Sequence, residues 1–196
     1  MMTSAKHNLV FVAITKTATR SIYAALKKHF DGELVQEHLK EIPPQYAGLF
    51  TFAVLRNPYD RLVSVYWATC RRGNDAYGFK KYVSRTGTFA ELVDNLDSVM
   101  EDPSELALPQ VEWVKPNRID RFLRFENIAA EWAALPFNTT GVKLERLNPT
   151  VKEAGPQNPV ARESWETFMT PDIKAIIREK YADDFDLIRS VYANNN

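Results

Sequence analysis

The 196-residue sequence predicts an α/β fold, a three-layer sandwich with a mainly parallel central sheet, in a single domain covering residues 1–196. Two continuous apolar runs carry the prediction. Leu9-Val10-Phe11-Val12-Ala13-Ile14 and Leu49-Phe50-Thr51-Phe52-Ala53-Val54-Leu55 read as strands buried on both faces, as strands of parallel sheets do. Each run ends in a polar segment that opens a helix, and strands keep alternating with helices down the chain.

After the first run a polar loop spans Thr15 to Arg20. A helix follows from about Ser21 to Phe30, with Ile22, Leu26 and Phe30 on one stripe and Gly32 past its end. A short strand is expected near Glu33 to Gln36. The second run ends in Arg56-Asn57-Pro58, where Asn57 suits a cap and Pro58 the first helical position. That helix carries Leu62, Val63, Tyr66, Trp67 and Cys70 on its apolar face and ends at Arg71-Arg72-Gly73. Thr88 and Glu91 have the spacing of a capping box. A strand near Asp120 to Phe125, a helix from Glu126 to about Leu135, a strand near Val142 to Leu147 and a last helix from Thr170-Pro171 to about Tyr181 complete the expected order. The segment Met1 to Asn8 reads as polar, without an element of its own.

Composition narrows the function classes. Hydrophobic residues are 45% and charged residues 26% of the chain, an ordinary balance for a globular protein with a full core. The formal net charge is zero, which argues against a broad nucleic-acid surface. One cysteine, Cys70, permits neither an internal disulfide nor a thiolate zinc cluster, and its place on an apolar helical face makes it a core residue. No His/Asp/Glu spacing reads as a metal site. No segment reaches the length of a membrane span or reads as a signal peptide, so the expectation is a cytoplasmic protein.

Two strand ends carry the chemistry. At the first, Thr15-Lys16-Thr17-Ala18-Thr19-Arg20-Ser21 sets Lys16 and the hydroxyls of Thr17, Thr19 and Ser21 at a helix N-terminus, whose main-chain N–H groups suit a phosphate or sulfate. It lacks the paired glycines and the Gly-Lys-Ser/Thr ending of a Walker loop. At the second, Arg56 stands where a buried strand stops, and Ser64 lies two turns into the next helix. An arginine there suits bidentate phosphate contact; the alternative is an ion pair with Asp60 or Glu126.

The run Arg56-Asn57-Pro58-Tyr59-Asp60-Arg61-Leu62-Val63-Ser64 resembles the 3′-phosphate-binding motif of sulfotransferases that use 3′-phosphoadenosine 5′-phosphosulfate (PAPS), above all the carbohydrate-type, sulfotransferase family 2-like branch. The loop at Lys16-Thr17 is similar to that family's 5′-phosphosulfate loop. Arg124-Phe125-Glu126-Asn127 and Leu147-Asn148-Pro149-Thr150 resemble two later stretches of the same branch, so the resemblance runs from about Leu9 to Ile188. It implies a P-loop-NTPase-like sulfotransferase fold, with PAPS as co-substrate, no metal, and a hydroxylated acceptor, carbohydrate in this branch. Arg56 and Ser64 would hold the 3′-phosphate, and Lys16, Thr17, Ala18, Thr19, Arg20 and Ser21 the 5′-phosphosulfate. Three residues depart from the pattern: Thr15 replaces a proline, and Ala18 and Arg20 stand where glycine and a small hydroxyl residue are common. Alanine takes a positive φ less readily than glycine. Arg20 has three roles open to it: the sulfuryl group, an anionic acceptor or a surface carboxylate.

Sulfuryl transfer needs a stabilised leaving oxygen and a base for the acceptor hydroxyl. Lys16 is the candidate for the first. The resemblance assigns the second to His38, with Glu37 and Glu41 in reserve. Arg61 and the Arg124–Glu126 pair read as structural, and Tyr59, Tyr66 and Trp67 as packing residues. A loop at Lys152 and Gly155 would close on the nucleotide, and Asn74 to Arg118 would wall the acceptor. Two other readings stand beside this one: a P-loop-type small-molecule kinase, and a nucleotide-binding module on the same fold without turnover.

Overall fold

The structure is a computed structural model, and it describes residues 1–37, 39–71, 82, 87–145 and 164–193, with the side chains of residues 69–71 not described. In chain order the elements are β1 (Met2–Ser4), β2 (Leu9–Val12), α1 (Thr19–His29), β3 (Glu33–Leu34), β4 (Phe50–Leu55), α2 (Pro58–Arg71), α3 (Phe89–Asp94), α4 (Leu96–Met100), α5 (Val111–Val114), β5 (Arg121–Arg124), α6 (Ile128–Ala133), α7 (Pro171–Lys180) and α8 (Ala182–Ala193). The chain divides into two compact units: Met1–Arg56 with Gln110–Leu147 and Leu187–Asn196, and Asn57–Pro109 with Asn148–Asp186.

The first unit is α/β. Among the described residues its sheet has five strands in the order β3-β1-β2-β4-β5. The two apolar runs lie side by side and parallel, Leu9 opposite Phe50 and Val12 opposite Ala53, and β5 continues in parallel from Phe52↔Arg121 to Leu55↔Arg124. β1 alone runs against its neighbours, pairing Met2 with Phe11 and Met2 with Leu34. The sequence reading assigns no element to this polar start, and β1 is an addition to it. Thr3 and Ser4 are polar, yet they sit between β3 and β2 and are buried. The turn into β2 is made by Asn8 at φ 52, whose N–H donates to the Ala5 carbonyl at 3.2 Å. Asparagine is one of the few residues that takes this conformation cheaply.

The core of this unit is aromatic. Phe11 stacks on Phe52 with centroids 5.0 Å apart, and Phe30 meets Trp132 and Phe137 edge-on at 5.9 and 5.2 Å. Ile22 and Leu26 of α1 join the same core. At the end of α1 the left-handed residue is Asp31 (φ 48), not the glycine after it. Gly32 serves space instead: a Cβ there would lie 2.8 Å from the Leu26 carbonyl carbon and 2.9 Å from the Met2 sulfur.

Two boundaries differ from expectation. After β5 the chain first makes a 3-10 turn, Phe125–Asn127, before α6. Residues 142–145 form no strand, and 146–147 lie outside the described residues. The Val142 N–H donates to Asn138 Oδ1 at 2.8 Å, and its carbonyl accepts from Asn138 Nδ2 at 3.0 Å and Trp132 Nε1 at 2.8 Å. Side chains thus take the groups a ladder would need.

The second unit is helical, its core built from Leu62, Val63, Phe89, Leu92, Leu96, Val99, Ile177 and Tyr181. Thr88 and Glu91 form the expected capping box at 3.3 and 3.2 Å, and Thr170 caps α7 ahead of Pro171. Past Tyr181, where the sequence reading stopped, α8 begins at once. Tyr59, Tyr66 and Trp67 pack at the edge of this core, while Cys70 lies outside the described side chains.

Candidate functional site

Parallel neighbours β2 and β4 end on the same edge of the sheet, so the loops that follow them start side by side. From β2 the chain continues through buried Ala13 and Ile14 into the loop before α1. Two of its residues are left-handed, Lys16 at φ 64 and Ala18 at φ 68. Ala18 therefore adopts the conformation usually given to glycine, at a strain of about 1–2 kcal/mol for an L-residue. The Thr17 side chain is fully buried (0% exposed), its hydroxyl donating to the Ile14 carbonyl at 2.9 Å, and the Thr19 hydroxyl donates to the same carbonyl at 2.7 Å. Ser21 is buried and Arg20 is exposed. The first turn of α1 has no acidic residue, which leaves its dipole uncompensated there.

From β4 the chain reaches Arg56, only 4% exposed. Its Nη1 donates to the Lys16 carbonyl at 2.9 Å, and its guanidinium carbon lies 4.0 Å from the centre of the Phe125 ring. Its main-chain N–H donates to Gln110 Oε1 at 3.0 Å and its carbonyl accepts from Gln110 Nε2 at 2.9 Å. The two strand ends picked out by sequence are therefore in direct contact.

A family model described as sulfotransferase family matches residues 1–188. The chain belongs to the sulfotransferase family. Neither the curated proteins nor the solved structures compared with it gave a match.

The remaining candidates of this sulfotransferase-family chain fall in several places. Ser64 lies in α2 of the helical unit and is 9% exposed. His38 lies outside the described residues, as do Lys152, Gly155 and 146–163 generally. The reserve acids Glu37 and Glu41 are exposed. The segment after His38 is held by Asn117, whose Oδ1 accepts from the Ile42 N–H at 2.8 Å and whose Nδ2 donates to the Lys40 carbonyl at 2.5 Å. Arg61 is 2% exposed and donates through Nη2 to the Leu106 and Leu108 carbonyls at 3.2 and 2.7 Å, a structural use.

The expected Arg124–Glu126 pair is corrected. Arg124 is bound to Glu131, through Nε to Oε1 and through its main-chain N–H to Oε2 at 2.7 Å. Glu126 instead accepts from the Tyr192 hydroxyl at 2.8 Å, and burial, then that bond, holds the phenol above its usual range. The Glu131 hydrogen bond is the largest cause that holds the Arg124 guanidinium above its usual range, and the Glu126 charge adds a lesser contribution. Phe125 between them is the residue that reaches the site. Sequence reasoning missed Phe125, Gln110 and Asn117; of these only Phe125 had a signal, an aromatic within a motif already singled out.

Among the described residues no group of three His, Cys, Asp or Glu could hold a metal ion, and no helix is long and apolar enough to cross a membrane.

Proposed function

We propose that this protein transfers a sulfuryl group from PAPS to a hydroxyl of a carbohydrate or similar small acceptor, as one sulfotransferase domain on a P-loop-NTPase-like fold. The observation that carries the reading is the Arg56–Lys16 contact at 2.9 Å, which sets two cationic strand ends beside one helix N-terminus. An adenine nucleotide phosphorylated at both 3′ and 5′ positions needs two such anion sites within one ligand's reach. Arg56 takes the 3′-phosphate; Ser64 joins it on the strength of the motif alone. Lys16 and the amides of the Thr17–Ser21 segment take the 5′ end. The left-handed bend at Ala18 supports this use, since it is a conformation that favours the glycine common at this position in the family.

In the reaction the acceptor oxygen forms a bond to sulfur while the bond between sulfur and the bridging phosphate oxygen breaks. The electron pair stays on that oxygen, giving 3′,5′-bisphosphoadenosine, and Lys16 stabilises the charge. His38 accepts the proton of the acceptor hydroxyl. Calorimetry comparing 3′,5′-bisphosphoadenosine with ATP plus magnesium tests donor identity, and preference for ATP overturns it in favour of a kinase. Transfer from sulfur-labelled PAPS into a panel of glycans tests turnover; binding without any transfer would leave a nucleotide-binding module.

A further inference from the structure

Gln110 is fully buried (0% exposed) and immediately precedes α5. Its amide meets the main chain of Arg56 twice, as acceptor from the N–H at 3.0 Å and as donor to the carbonyl at 2.9 Å. Neighbouring strands exchange this same pair of bonds. Here a side chain supplies it one residue past the last β4–β5 partners, Leu55 and Arg124. The main chain is thereby held at the point where the arginine side chain departs. At its far end the guanidinium is held by the Lys16 carbonyl and the Phe125 face.

We infer that Gln110 is a positioning residue for the donor nucleotide: it fixes the root from which Arg56 reaches the 3′-phosphate. The inference rests on the reading of Arg56 as a phosphate ligand. Glutamine alone among side chains of this reach offers one donor and one acceptor in a rigid pair. An error at the root of a long side chain grows toward its tip, and misplacement of about 1 Å is enough to cost a large factor at a binding or catalytic group. Methionine keeps the length and removes both bonds. Glutamate keeps the size and the acceptor for the Arg56 N–H, loses the donor, and sets a negative charge beside the arginine.

The discriminating measurement is the ratio of affinities for 3′,5′-bisphosphoadenosine and 5′-AMP, which differ only in the 3′-phosphate. Gln110→Met is expected to reduce that preference by about tenfold or more, the scale of one charge-assisted contact, with AMP binding little changed. A role in stability alone would lower the melting temperature and weaken both ligands alike in the folded fraction. If Gln110→Met does not fold, Gln110→Glu is read by the same ratio and is expected to lose it too. In an Arg56→Ala background neither substitution should change the ratio further. A wild-type preference that Arg56→Ala abolishes and both Gln110 variants retain overturns this inference and leaves the nucleotide site standing. A wild type with no preference, or an Arg56→Ala protein that keeps it, removes the reading of Arg56 and this inference with it.

Discussion

Replacing Ala18 by glycine should stabilise a protein whose loop between β2 and α1 is strained by a methyl group. Ala18 stands at φ 68, ψ 15, where an L-residue is disfavoured by about 1–2 kcal/mol and glycine is not. Against this relief, glycine frees the unfolded chain by about 0.4–1 kcal/mol. Removing a half-buried methyl costs about 0.4 kcal/mol more, half the value of a buried methylene. The net is a gain of about 0.4 kcal/mol, or about 1–2 °C in Tm for a chain of this size. Gly141 supplies the reciprocal experiment. It sits at φ 69 with nothing within 4 Å of where a Cβ would stand, so Gly141→Ala measures the backbone cost without a packing contribution. That variant should lose about 0.8 kcal/mol. Urea unfolding of both, beside the wild type, gives the two signs directly. If Ala18→Gly destabilises as much as Gly141→Ala, the left-handed loop at Ala18 is refuted.

Other expectations follow from the same geometry. Arg56→Lys keeps a charge and loses both the planar fork and the face that covers Phe125, so 3′,5′-bisphosphoadenosine should bind about 10–100-fold more weakly by calorimetry; unchanged affinity contradicts the assignment. Gly32→Ala places a Cβ 2.8 Å from a backbone carbon of Leu26, and should cost about 1–3 kcal/mol in a thermal or urea melt. A neutral result would mean that α1 and β1 are not so closely apposed. The Lys6 hydrogen bond and charge hold the exposed Asp31 carboxyl below its ordinary value. A depressed folded value means the pair's small stabilisation is present above the unfolded pKa and lost as pH falls through the folded one. Asp31→Asn, which also tolerates the positive φ, should flatten the acid limb of the stability profile; a limb identical to wild type would discount the pair.

The sheet's centre is legible because β2 is buried throughout and β4 from Thr51 to Leu55, which writes itself as nearly unbroken apolar runs. β1 was not, since a three-residue strand shows no period and its Thr3 and Ser4 are buried by position rather than by polarity. Val142-Lys143-Leu144-Glu145 alternates apolar and charged residues as a strand would, yet Asn138 and Trp132 claim the Val142 peptide groups first. At the site, Lys16 and Arg56 each lie at the end of a readable strand. Gln110 is invisible from sequence because its partner lies 54 residues away, and nothing local distinguishes it from a surface glutamine. Asn117 is hidden for the same reason, its bond to Ile42 spanning 75 residues. Nearness along the chain points from Arg124 to Glu126, whose charge does act on it, but the hydrogen bonds go to Glu131, which the helix that follows turns back onto the strand end.

With this loop as the proposed anion site, the Ile14 carbonyl, which receives the hydroxyls of both Thr17 and Thr19, would set a condition on how an anion enters it. Each hydroxyl has one proton to give, and in the resting arrangement that proton is spent on the main chain. An arriving oxyanion can win it only by leaving the carbonyl poorer, so recognition through these two threonines is a trade of partners with little heat left over. The attraction must come from main-chain amides and fixed cations, with the threonines acting as ballast that keeps the loop's shape while it waits.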